Sequence, residues 1–195
     1  MIKIAMLGVG RMGKGIIKKA GEEGFDVVAA IDSPENQIIG RDAGLMSQID
    51  ALGVEVSSAA DLEDTLKKTK PHVVIDFTNA EACFWNSKVI CRNGINMVIG
   101  TTGFSDKQLG GMRKEIERYD VGAVISPNMS VGVNVFWEII GEATKLLRDY
   151  DIEITEAHHR FKKDAPSGTA LKTAQIITEE LGKSMDDVAV YGRKG

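Results

Sequence analysis

At 195 residues, 43% hydrophobic and 27% charged, the chain has the make-up of a soluble globular protein with one large domain or two small ones. A net charge of -4, with no basic face carrying interleaved aromatics, argues against general nucleic-acid binding. No apolar run approaches the roughly 20 residues of a membrane span, and the first residues lack the features of a signal peptide, so a cytoplasmic protein is expected.

Residues 2–7 read as a strand running into Gly8-Val9-Gly10-Arg11-Met12-Gly13. A helical pattern follows, with Ile16, Ile17 and Ala20 on one side. Residues 26–32 read as a second strand closed by Asp32, which stands 19 positions after Gly13. Strand, glycine turn, helix, strand and acid together form the pattern of a dinucleotide-binding unit. In such a unit Gly8 allows the tight turn, Gly10 lets a pyrophosphate approach the backbone, and Gly13 lets helix and sheet pack closely. The helix N-terminus offers amides to the phosphates, and Asp32 can accept from ribose hydroxyls. A plain tight connection between strand and helix would use the same glycines.

The alternation continues. Residues 54–57 are a predicted strand and 58–70 a predicted helix, capped by Ser58 with Asp61 completing a variant capping box. Residues 72–77 read as an apolar, buried parallel strand, 79–92 as a helix and 96–100 as a strand. A helix over 105–119 and a strand over 121–126 follow, while 33–53 is expected to be a long loop near the nucleotide. This order predicts an α/β fold, a Rossmann-type doubly wound parallel sheet. Ligands lie beyond the carboxyl ends of strands in such sheets, which singles out residues 77–79, 100–104 and 126–129. His72 sits at the opposite edge and is read as structural. Cys83 and Cys91 fit neither a zinc site nor a redox pair and are expected to be buried thiols.

The character changes after Asn128. A dinucleotide-binding domain over 1–129 is expected to give way to a smaller α+β substrate-binding domain beginning at 130. A helix over 130–150, with Ser130 as its cap, carries a broad apolar side that includes Val133, Phe136, Ile140 and Leu147. Residues 151–157 alternate and predict a half-buried strand. His158 and His159 come at its end. On an extended chain they point to opposite faces, and no other ligands stand at a recognisable spacing, so no metal is expected. Histidine titrates near neutrality, and lysine can donate a proton or fix a negative charge. Residues 164–169 then form a turn opening a helix over 169–182, with Ser167 or Thr169 able to cap it. A carboxylate there would meet helix-terminal amides, a hydroxyl and nearby cations together.

The stretch Glu156-Ala-His158-His159-Arg-Phe-Lys162-Lys-Asp164-Ala-Pro-Ser-Gly168-Thr169-Ala resembles the signature of the 4-hydroxy-tetrahydrodipicolinate reductase (dihydrodipicolinate reductase) family. Phe77-Thr78, Gly100-Thr101-Thr102-Gly103-Phe104 and Asn128-Met129-Ser130-Val-Gly-Val-Asn134 resemble further segments of that family in the same order. The resemblance implies NADH- or NADPH-dependent reduction, with loss of water, of the cyclic product of the preceding aldolase on the diaminopimelate route to lysine. It implies that His158 is the acid/base group and Lys162 the proton donor. His159, Gly168 and Thr169 would hold the carboxylates of a small dicarboxylate substrate. Gly8, Val9, Gly10, Arg11, Met12, Gly13, Asp32, Gly100, Thr101, Thr102, Ser126, Pro127, Asn128 and Met129 would contact the nicotinamide cofactor. A homotetramer assembled through the substrate domain is implied as well.

Three departures from the family pattern carry expectations. The glycine turn is one residue shorter than the common Gly-x-x-Gly-Arg-Met-Gly. Ser33 follows Asp32 where users of NADPH commonly carry arginine, so NADH is favoured, with Arg11 compensating in part. The family continues well beyond Gly195, so the chain is expected to be truncated within its substrate domain. Two other readings remain open from sequence. One is a related dehydrogenase acting on an amino or diamino acid; the other is a non-catalytic nucleotide-binding fragment.

Overall fold

Each apolar run that stops at a glycine or a small polar residue becomes a strand of one parallel sheet. The computed structural model describes residues 1–158, 160, 162 and 165–192 and divides into two units after Ser126. The first unit contains β1 (Lys3–Leu7), α1 (Arg11–Glu22), β2 (Asp26–Asp32), α2 (Ala43–Met46), β3 (Val56–Ser58) and α3 (Leu62–Thr69). It continues with β4 (Val73–Asp76), α4 (Ala80–Arg92), β5 (Asn96–Ile99), α5 (Asp106–Tyr119) and β6 (Ala123–Ile125). The strand order is β3-β2-β1-β4-β5-β6, all parallel. Chain order reverses between β1 and β4, the switch point at which such sheets take their ligands.

Helices cover both faces of the central strands, which is why those strands are mostly apolar. Ala5, Leu7, Val74, Met97 and Ile99 pack with Leu66, Cys83, Ile90 and Met112 from α3, α4 and α5. Ile4, Met6, Ala30 and Val56 pack with Ile17 and Ala20 of α1 and Ala43 of α2 on the other face. A register shift opposite Ile4 and Ala5 sets Val27 on the second face and Ala29 on the first, so β2 keeps its alternation with β1. Full burial of each aliphatic side chain contributes about 1.5–3 kcal/mol.

Local signals set most boundaries. Asn79 caps α4 through Ala82 N at 2.9 Å, and Ser105 with Gln108 forms a reciprocal capping box on α5. Ser58 does cap its helix, but the first turn is 3-10 over Ala59–Asp61, and Asp61 makes no side-chain cap bond. The last strand begins at Ala123, not 121. Asp120 adopts a left-handed φ of 51° and Val121 N still bonds Ile116 O, so those residues belong to the end of α5. The supposed loop over 33–53 contains α2. Asp42 accepts from the amides of Gly44, Leu45, Leu52 and Gly53, pinning both ends of that excursion, and these bonds hold its carboxyl below the usual range.

The second unit holds α6 (Val131–Leu146), α7 (Gly168–Glu180) and α8 (Met185–Val188). Trp137 donates to Thr173 at 3.1 Å, Gly141 faces Ile176, and Lys145 lies 3.6 Å from Glu180. Contacts advancing along both helices in the same sense mean that α6 and α7 run parallel. Only Trp137, Gly141 and Thr144 of α6 are buried, while Val131, Val135, Ile139 and Leu146 are exposed. The helix ends at Leu146, short of the expected 150, because Tyr150 N turns back to Leu147 O. Ser130 occupies the N-cap without a side-chain cap bond. Residues 151–158 form no strand. Their alternation is present, but a strand needs a neighbour for its amides, and the described residues of this unit include none. Among the described residues no helix is long and apolar enough to cross a membrane.

Candidate active site

The glycine turn of the first unit is built by close approach. Gly8 has φ +85°, and its amide bonds Ile31 O at 2.9 Å. A Cβ on Gly8 would lie 2.6 Å from Phe77 O, and one on Gly13 would lie 1.9 Å from Gly8 O. Neither position admits a side chain. Gly10 differs: it is exposed, its φ is -78°, and nothing stands within 4 Å of the place a Cβ would occupy. Glycine is not required there by the protein's own packing, and the open space fits a phosphate brought against the backbone. Gly10 is also the N-cap of α1, without a side-chain cap bond, and no acidic residue stands in the first turn. Positive helix-end potential is therefore left for an anion.

Asp32 closes β2 beside this turn. Its Oδ2 accepts from Val9 N at 2.6 Å and its Oδ1 from Ser33 N at 2.7 Å. Each oxygen keeps a lone pair for a sugar hydroxyl. Ser33 Oγ donates to Glu35, and that bond holds the Glu35 carboxyl below the usual range. Two carboxylates thus flank this corner. Arg11 and Met12 are exposed on the first turn of α1.

The carboxyl ends of β4 and β5 interlock with that of β1. A Cβ on Gly100 would lie 2.1 Å from the Phe77 ring, so glycine here makes room for the aromatic. Phe77 N bonds Leu7 O, and Gly100 N bonds Asp76 O. Thr101 is buried and donates its hydroxyl to Asp76 Oδ1 at 3.0 Å, while Thr102 is exposed. Asp76 itself was hidden by reading 72–77 as apolar. A lone carboxylate inside that run was the available signal.

Ser126 N bonds Ile99 O in the first unit. Pro127, Asn128 and Met129 open the second unit. Asn128 caps its own turn, accepting from Ser130 N at 2.9 Å, and its carbonyl accepts from Asn134 Nδ2 at 3.0 Å. His72 accepts from Lys3 N at 3.0 Å, as befits a structural residue at the far edge. Both cysteines are buried and free, and burial pushes the Cys91 thiol up to about 11 and the Cys83 thiol higher still.

In the second unit the polar cluster gathers around Glu156. Its carboxylate accepts from Ser167 N at 2.8 Å and from Ser167 Oγ, and His158 Nδ1 lies 3.4 Å from Glu156 Oε2. The Ser167 bonds, then the His158 and Lys162 charges, hold the Glu156 carboxyl below its ordinary range. One acid therefore ties His158 to the cap of α7, with the Lys162 charge close enough to act on it. Ser167 also accepts from Ala170 N at 3.1 Å, so it is the cap, and the helix begins at Gly168. Gly168 is exposed, with open space where a Cβ would stand, and Thr169 follows on the same first turn. Glu156, His158, Pro166 and Leu171 line a groove of about 950 Å³, within the size range of small-molecule sites. His159 lies outside the described residues. Among the described residues no three His, Cys, Asp or Glu side chains converge as a metal site would require.

Known proteins resemble this chain along nearly all of its length. The family described as dihydrodipicolinate reductase, N-terminus, matches residues 2–129, and dihydrodipicolinate reductase, C-terminus, matches residues 132–192. The 4-hydroxy-tetrahydrodipicolinate reductase of Methanothermobacter thermautotrophicus is 48% identical over 197 residues, covering all of this chain and 72% of its own. That of Methanocaldococcus jannaschii is also 48% identical, with 71% of its length covered. A dipicolinate-bound dihydrodipicolinate reductase from Paenisporosarcina sp. TG-14 superposes with a TM-score of 0.76 at 30% identity, over the whole chain and 71% of that structure. An amine dehydrogenase from Mycobacterium smegmatis, at 22% identity and a TM-score of 0.58 over 78% of this chain and 45% of its own, shares the fold alone. Two family matches that together span nearly all of the sequence, and relatives this similar along its whole length, mean that the chain belongs to the dihydrodipicolinate reductase family.

Proposed function

We propose that this chain reduces 4-hydroxy-tetrahydrodipicolinate to tetrahydrodipicolinate with loss of water, on the diaminopimelate route to lysine, with NADH as the preferred reductant. The observation that carries the reading is the Glu156 cluster. It joins a histidine, a lysine and the uncovered start of a helix, within a sequence belonging to a reductase family. Residues 1–129 serve as the nucleotide domain and 130–195 as the substrate domain, working in the cytoplasm as a homotetramer.

The residues divide the chemistry between them. The pyrophosphate rests against Gly8, Val9 and Gly10 and the first turn of α1, where Arg11 and Met12 stand over it and Gly13 keeps the helix close. Asp32 accepts from the adenosine ribose. A 2′-phosphate would face Asp32 and the ionised Glu35, with Arg11 offsetting only part of that repulsion, which disfavours NADPH. Gly100, Thr101 and Thr102, with Ser126, Pro127, Asn128 and Met129, receive the nicotinamide end. The bound cofactor supplies one hydride. His159, Gly168 and Thr169 hold the two substrate carboxylates, using amide dipoles and charge together. Lys162 donates the proton that lets the ring hydroxyl leave as water, and His158 acts as the acid/base group, held in place by Glu156. One hydride and one proton enter, and one water departs.

Support for a dicarboxylate comes from the Paenisporosarcina relative, whose bound ligand is dipicolinate. The test is a coupled assay with the preceding aldolase, following loss of NADH absorbance. The proposal expects NADH consumption strictly dependent on the aldolase product. Reduction of NAD⁺ by amino or diamino acids, without that consumption, would overturn it. NADH binding with no turnover would do so as well.

A further inference from the structure

We propose that Asp76 is a positioning residue for the cofactor, a buried carboxylate that ties together the two loops on which the nicotinamide end rests. This builds on the reading that the carboxyl ends of β4 and β5 receive the nucleotide.

Asp76 is the last residue of β4 and is 1% exposed. It lies two residues after Val74, on the sheet face covered by α4, where alternation calls for an apolar side chain. A carboxylate there is costly unless it is well satisfied by hydrogen bonds. Its Oδ1 accepts from Thr78 N at 2.9 Å, Thr78 Oγ1 at 2.6 Å and Thr101 Oγ1 at 3.0 Å. Its Oδ2 lies 3.5 Å from Asn86 Nδ2. Three of these donors belong to the tips of two neighbouring strands: Thr78 follows β4 and Thr101 follows β5.

Two consequences follow from the donor count. A hydroxyl has one proton, and for both Thr78 and Thr101 the shortest acceptor contact is Asp76 Oδ1, ahead of Asn79 O at 3.4 Å and Asp76 O at 3.5 Å. Any further partner of these hydroxyls must therefore be a donor, and an amide NH₂ such as the nicotinamide carboxamide meets that requirement. The single oxygen Oδ1 also fixes the separation of the two loops, whose backbones are joined elsewhere by the Gly100 N to Asp76 O bond and the Phe77 ring seated on Gly100. Acceptor capacity is what the site demands, more than charge. An asparagine presenting its oxygen at the Oδ1 position keeps an acceptor for the donors of both loops, although its NH₂ then faces Asn86 Nδ2, and an alanine keeps none.

The experiment measures NADH dissociation constants by titration of nicotinamide fluorescence, together with thermal midpoints, for the unaltered chain, Asp76→Ala, Asp76→Asn and Thr78→Val. Asp76→Ala should raise the dissociation constant at least tenfold, and Asp76→Asn should stay within threefold of the unaltered chain. A purely structural carboxylate would instead lower the thermal midpoint and leave NADH affinity of the folded protein unchanged. A folded Asp76→Ala variant binding NADH within twofold of normal overturns the proposal while leaving the functional reading intact. Should Asp76→Ala fail to fold, Thr78→Val decides, since it removes one donor to Asp76 at nearly constant volume from a residue outside the proposed cofactor contacts. At least a fivefold loss is expected, and unchanged affinity overturns the proposal. Absence of NADH and NADPH binding by the unaltered chain would overturn both readings together.

Discussion

Gly13 and Gly10 belong to one turn yet should respond differently to the same substitution. In Gly13→Ala the new methyl would stand 1.9 Å from the carbonyl oxygen of Gly8, where ordinary contact begins near 3.4 Å. About 1.5 Å must be recovered, and the obstacle is backbone held by the Gly8 N to Ile31 O bond, with Met6 Cε 3.2 Å away behind it. Overpacking typically costs about 1–3 kcal/mol, and an obstacle that cannot rotate aside puts this site near 3. For a chain of this size that is a fall of roughly 6–12 °C in Tm, at about 2–4 °C per kcal/mol. In Gly10→Ala the methyl meets nothing within 4 Å, and φ is -78°, so the stability cost is only that of alanine for glycine at the N-cap, about 1 kcal/mol. Its larger cost should appear when the pyrophosphate arrives, as at least a tenfold weaker NADH dissociation constant. Thermal melts with and without NADH measure both quantities. A Gly13→Ala variant melting at the normal temperature, or a Gly10→Ala variant with undiminished NADH affinity, would refute the reasoning.

Other outcomes follow from the same geometry. NADPH should bind at least tenfold more weakly than NADH, and Ser33→Arg combined with Glu35→Gln should narrow that ratio at least fivefold, as read by parallel titrations. The Glu156 carboxyl is held below its ordinary range by Ser167, His158 and Lys162, so its contribution to stability is complete above the unfolded carboxyl value and is lost as pH falls through the folded one. Melts between pH 7 and pH 3 should show Glu156→Gln losing less stability on acidification than the unaltered chain. Cys83 and Cys91 are buried, with thiols pushed up by burial, so both should resist a thiol reagent at pH 8 and react in denaturant.

The nucleotide half of the molecule was legible because its signals are local. Gly8, Gly13 and Asp32 announce their roles by spacing alone, and β1 to β6 follow from apolar runs bounded by caps such as Asn79 and Ser105. Boundaries failed where a helix end borrows strand-like residues, as at Val121, which still bonds back to Ile116. Asp42 and Asp76 were missed for a different reason. Their partners lie across turns or on a neighbouring strand, and the worth of a carboxylate there depends on amides and hydroxyls that sequence distance conceals. Residues 151–157 mislead in the opposite direction. Alternation describes which side chains could share a face, but it cannot supply the neighbouring strand that would turn the pattern into a sheet. The histidine-lysine stretch stood out by its residue types, whereas the contacts of Glu156 with Ser167 and His158 required the fold of the Ser167 cap.

The account depends most on His158 and Lys162 acting on protons and not on nucleotide binding. Steady-state reduction of the aldolase product by His158→Gln and Lys162→Met, with NADH dissociation constants measured on the same preparations, tests this directly. General acid catalysis is worth about 10²–10⁴ in rate, so kcat should fall at least a hundredfold in each variant while NADH affinity stays within twofold. Turnover within threefold of normal in either variant, or a loss of NADH affinity that accounts for the fall in rate, would contradict the account.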